Sequence, residues 1–178
     1  MSIMNLAKEH TLDPEPDNLD HAKGNGTITL VEYGDYQCDH CLAAFYEVEK
    51  LFEDPSLDFT FVFRHFPMRN QHPMSQLAAE TAEAAGSQGK YWQMHELLFK
   101  NQKDFSYGEE TILAHELNLD MAAFENDIKT HRFADKVQED FESGIHSGVN
   151  GTPTFFINGF RYNGEKSFQV IKETLLQL

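Results

Sequence analysis

The period of the hydrophobic positions changes along the chain, and each change predicts an element. Over residues 27–33 apolar and β-branched positions alternate, the signature of a strand. After Cys41 the spacing turns helical, with Leu42, Phe45, Val48 and Phe52 on one face, and the pattern runs to about Glu53. Pro55 and Ser56 break it. Over residues 58–64, Phe59, Phe61 and Phe63 alternate with Thr60 and Val62, which predicts a second strand. Strand, helix and strand in that order imply a parallel pair with a helical crossover. Ahead of them, residues 1–25 read as a short helix or arm, then a turn-rich lead-in containing Pro14, Pro16, Gly24 and Gly26.

From Met74 to about Gly144 the period is helical throughout. Leu77, Ala78, Ala82 and Ala85 form one stripe, Trp92, His95, Leu98 and Phe99 another, and Ile112, Leu113 and Leu117 a third. Phe124 with Ile128, and Phe133 with Val137 and Phe141, extend the block. Gly86, Gly89, Gly108 and Gly144 fall where helices stop or start. A β pattern returns over 154–157 and 160–162, separated by Asn158-Gly159, a pair that favours a tight hairpin turn. Ser167 is placed to cap a last helix with Phe168, Ile171, Leu175 and Leu178 on its apolar face. The order is βαβ, helical block, hairpin, helix: an α/β fold split by a helical insertion.

Composition adds limits. At 178 residues, with 15 phenylalanines, the chain suits one well-buried core rather than two independent domains. A net charge of −15 disfavours nucleic acid and anionic membrane surfaces as partners. No apolar run is long enough for a membrane span, so no membrane insertion is expected. The first 20 residues are acidic and lack a signal-like apolar stretch, which taken at face value places the protein in the cytoplasm; removal of a leader would make it periplasmic.

The only cysteines stand at the strand-to-helix junction, as Cys38-Asp39-His40-Cys41. A thiol at a helix N-terminus faces unpaired N–H groups and the positive end of the dipole, which favour its thiolate. Cys38 is then the attacking thiol and Cys41, one turn in, the resolving one, with His40 between them stabilising the thiolate. Glu32, six residues before Cys38, is either on the solvent face of an edge strand or a buried carboxylate able to relay protons to Cys41. Thr152-Pro153 precedes the hairpin; a cis bond there would free the Thr152 backbone to meet an extended peptide, though only about 5–6% of X–Pro bonds are cis. Tyr36 and Phe155 either line an apolar groove for peptide or belong to the core. Cys38, His40 and Cys41 with His65 or His95 could compose a zinc set, but no second close-spaced ligand pair follows, and no metal is expected.

Four segments resemble the DsbA-like thiol oxidoreductases of the thioredoxin superfamily: residues 31–41, 63–67, 88–99 and 151–159, in the family's order. The resemblance implies a thioredoxin fold divided between 26–70 and 148–178, with an inserted helical domain over 71–147 and an N-terminal arm over 1–25. It implies that Pro153 is a cis-proline facing the cysteines, that Thr152 contacts substrate backbone, and that Glu32 is the family's buried acid. The activity implied is disulfide exchange with protein thiols, with a redox partner that resets the cysteines and no bound cofactor. Asp39 departs from the pattern, which usually has proline or an uncharged residue there. Its carboxylate disfavours the neighbouring thiolate, so a less oxidising pair is expected. Two other readings stay open: a glutathione-linked transferase or isomerase on the same fold, and a non-catalytic binding module.

Overall fold

The strand that carries the site is central because its side chains are apolar on both faces. In the computed structural model, which describes residues 5–178, β3 (Ile28–Gly34) runs parallel to β4 (Phe59–His65) and antiparallel to β5 (Thr154–Ile157). Residue alternation then divides the core. Leu30, Phe61, Phe63, Phe155 and Ile157 face one layer, while Val31, Tyr33, Val62 and Phe156 face the other. By the same parity Glu32 points into the first layer, between Phe63 and Phe155 of the neighbouring strands.

That first layer is covered by α1 (Asp39–Glu53), α2 (Ser75–Gly86) and α3 (Tyr91–Lys100), with α7 (Phe168–Leu175) closing it. Alanines dominate the buried positions of α2, which lets the helices approach closely. The block continues through α4 (Glu109–Glu116), α5 (Met121–Lys129) and α6 (Ala134–His146). Gly144 lies within α6 rather than at its end. A Cβ there would come within 2.7 Å of the Phe66 ring, so glycine is required by close packing, not by helix termination. In the third predicted stripe Leu113 is buried but Ile112 is exposed.

The hairpin forms as the Asn-Gly pair predicts. Asn158 and Gly159 both have positive φ, and β5 pairs with β6 (Phe160–Tyr162) across them. Residues 5–25 differ from expectation: they are not helical but supply β1 (Leu6–His10), paired with β6, and β2 (Ala22–Gly24), paired with β4. Both are short edge strands, largely exposed, and so lack the alternation that marks a strand in sequence. Residues 1–4 of the expected arm lie outside the described residues. Among those described, the sheet has the order β1-β6-β5-β3-β4-β2, a thioredoxin fold with an inserted helical domain. No helix among them is long and apolar enough to cross a membrane.

Candidate active site

β3 ends at Gly34, and the chain turns through Asp35, Tyr36 and Gln37 before α1 begins. Asp35 shapes that turn. Its Oδ1 accepts the Gln37 N–H at 2.8 Å, and its Oδ2 accepts the Met68 N–H at 2.8 Å and lies 2.8 Å from His72 Nδ1. Cys38 follows as the residue before the helix. Its carbonyl accepts the N–H of Cys41 (2.9 Å) and Leu42 (3.1 Å). From the helical insertion, the buried Gln102 amide donates to the carbonyls of Tyr36 (2.8 Å) and Cys38 (3.1 Å). Sequence reading passed over both residues. Asp35 had a local signal, an aspartate two positions before the residue whose N–H it binds; Gln102 had none, because its partners lie more than 60 residues away.

The two thiols sit in opposite environments. Both cysteines are free, Cys38 7% and Cys41 0% exposed. Cys38 Sγ is 3.5 Å from the Thr152 carbonyl, and the Asp35 N–H donates to Cys41 Sγ at 3.4 Å. The Cys38 thiol is held down to about 5, chiefly by the hydrogen bond from Cys41, against burial and with help from the N–H groups of Cys41 and His40. Burial and the Cys38 sulfur push Cys41 well up. His40 therefore acts on the thiolate through its backbone; its side chain is exposed. Asp39 is exposed too.

Glu32 is 2% exposed and lies on a central strand, which removes the edge-strand alternative. Its Oε1 has no hydrogen-bond partner among the described residues. Burial, reinforced by charge on Cys38, raises its carboxyl to about 8. The Thr152–Pro153 peptide is cis. Thr152 and Pro153 line a cleft of about 310 Å³ together with His40, Ala43, Ala44 and Lys166. The fold thus brings Cys38, Cys41, His40, Glu32, Thr152 and Pro153 to one place.

Tyr36 is the correction. It does not line a groove: it is 2% exposed, packs on Phe63 and Phe99, and its hydroxyl meets His95 Nδ1 at 3.0 Å. Phe155 is likewise fully buried. The aromatic positions beside the motif complete the core under the turn instead of facing solvent. His65 is also engaged away from the cysteines, with Nε2 2.8 Å from Glu83.

Comparison with known proteins agrees with this architecture. The family model described as thioredoxin matches residues 23–176. A thioredoxin-like oxidoreductase from Silicibacter pomeroyi superposes with a TM-score of 0.77 at 26% identity, covering 96% of this chain and 97% of that one. Alpha-DsbA1 from Wolbachia pipientis (TM-score 0.80, 22% identity, 96% of each chain) shares the fold. So does BdbD from Bacillus subtilis (TM-score 0.77, 24% identity, 88% of this chain and 90% of that one). Among curated proteins, a Na(+)/H(+) antiporter NhaA 1 of Salinispora arenicola is 38% identical over 159 residues, 88% of this chain. The chain spans about a quarter of the length of such relatives. By its sequence and its DsbA-like fold, the chain belongs to the thioredoxin family.

Proposed function

We propose that the chain is a thiol-disulfide oxidoreductase that exchanges disulfides with protein thiols through Cys38 and Cys41. The observation that carries this reading is the contrast between the thiols: Cys38 is held down to about 5 beside a cleft of about 310 Å³, while Cys41, one turn further in, is pushed up by burial. At neutral pH the first is an attacking thiolate and the second a protonated thiol in reserve.

The exchange runs in two balanced steps. The Cys38 thiolate attacks a substrate disulfide, forms a mixed disulfide, and releases one substrate sulfur as thiolate. The mixed disulfide removes the Cys38 charge that helps keep Glu32 protonated; Cys41 then loses its proton to the ionised form of Glu32 and attacks Cys38 Sγ. The Cys38–Cys41 disulfide forms, the second substrate sulfur leaves, and two electrons have passed to the substrate. Run in reverse, the same steps oxidise a substrate dithiol. Glu32 suits the relay because a carboxyl near 8 can both take and return a proton around neutral pH. Thr152 and Pro153 form the wall against which the substrate backbone lies. A separate redox partner resets the pair after each turnover.

Reduction of insulin by dithiothreitol, catalysed by the wild-type chain, tests the reading. Cys38→Ser is expected to abolish the catalysed rate, and full activity in that variant contradicts it.

A further inference from the structure

The cleft beside Cys38 has a charge opposite to that of the molecule. The chain carries 29 acidic against 14 basic residues, yet the ionisable side chains lining the cleft are His40 and Lys166. Both are exposed, and neither side chain has a hydrogen bond or ion pair among the described residues. The nearest acids in sequence, Asp39 and Glu165, are exposed but do not line it. Glu32 lies buried beneath, and the Lys166 charge reaches it. Whatever occupies the cleft touches Thr152, whose carbonyl is 3.5 Å from Cys38 Sγ. The shared Thr152 puts the cleft beside the reacting sulfur, within reach of a residue adjoining the reacting cysteine of the substrate. Carboxylate is the group that an unpaired lysine in a small polar cleft favours.

We propose that this cleft selects protein thiols and disulfides with an acidic side chain next to the reacting cysteine, and that Lys166 is the residue that reads it. This rests on the oxidoreductase reading and names its substrate class. The net negative charge of the protein repels acidic peptides at long range, and the lysine works against that repulsion at contact.

The test uses reduced full-length chain and peptides that differ only in the residue after their single cysteine: Asp, Ser or Lys. Each cysteine is activated as a 2-thiopyridyl disulfide. The Cys38 thiolate attacks the peptide sulfur, forms the mixed disulfide and expels pyridine-2-thiolate, which takes a proton from solvent to give thiopyridone, whose absorbance reports the rate. The readout is the ratio of rate constants for the Asp and Lys peptides. Both peptides meet the same thiolate, so the ratio is blind to any change in Cys38 itself. Lys166→Met is expected to lower the ratio by about three- to fivefold, the effect of an exposed charge pair, and Lys166→Glu to lower it further. Near ~1 M NaCl, where the screening length is about 3 Å, wild type and variants should converge. A ratio unmoved by Lys166→Glu overturns the inference while leaving the oxidoreductase reading intact. Release rates unchanged in Cys38→Ser overturn both.

Discussion

Glu32 concentrates the tension between folding and chemistry at single residues. Its carboxyl stays protonated in the folded state up to about 8, whereas the unfolded chain gives up that proton near 4.5. Between those values the folded state holds more protons than the unfolded one, so this group lowers stability as pH rises. Glu32→Gln removes the dependence. Urea unfolding of the reduced protein should show the variant gaining on wild type from pH 5 to pH 8, by on the order of 2–4 kcal/mol. Its thiol exchange should slow and lose the inflection near pH 8. Parallel stability curves for the two proteins would rule out a buried protonated acid. Cys38 acts with the opposite sign. Its thiolate stabilises the reduced fold as pH rises from about 5 toward the ordinary thiol value, which makes the disulfide the stronger oxidant. Asp39 adds an exposed negative charge one residue away. Asp39→Pro should raise the reduction potential by about 10–20 mV, the scale of a screened surface charge; an unchanged or lower potential contradicts that.

At the scale of elements, the site depends on groups that reach across from other parts of the chain. Gln102 ties the insertion to the two carbonyls ahead of α1. Gln102→Ala leaves the buried Tyr36 carbonyl without that donor, while the Cys38 carbonyl keeps the N–H groups of Cys41 and Leu42; it should destabilise the protein by about 1–3 kcal/mol in urea titration while loosening the Cys38 turn. The last helix repeats the lesson. Ser167 occupies the expected cap position, but its side chain makes no cap bond; Glu47 of α1 accepts the Phe168 N–H instead, at 2.7 Å. Glu47→Ala should therefore cost about 1 kcal/mol, more than Ser167→Ala, by thermal melting. Helices and inner strands were legible because burial imposes period on their own residues. Gln102, Glu47 and Tyr36 were not, because their roles are set by partners that only the tertiary fold brings near.

For the molecule as a whole, the sheet order follows from the crossover and the hairpin, and both were readable. The outer strands were not, since an exposed edge strand needs no alternating pattern. Those edges are nonetheless pinned: Asp20, just before β2, holds Arg64 of β4 by a two-pronged contact at 2.8 and 2.9 Å, and Arg64 also reaches the Pro14 carbonyl and the Tyr33 hydroxyl. Burial pushes the Asp20 carboxyl up, but Arg64 more than offsets it, and the His21 and His65 contacts hold Glu83 down against burial likewise. Both acids contribute stability above the usual carboxylate range that is lost as pH falls through it, so the melting temperature should drop steeply below about pH 4. Asp20→Asn should destabilise by about 3–5 kcal/mol at pH 7, by leaving Arg64 buried without its counter-charge. The claim on which the rest depends is that Cys38 attacks and Cys41 resolves. Mass spectrometry of single-cysteine variants after incubation with a disulfide-bonded peptide tests it most directly: Cys41→Ser should accumulate a mixed disulfide on Cys38, and Cys38→Ser should form none. Equal adducts on Cys41 in the Cys38→Ser variant, or no adduct in either, would contradict the account.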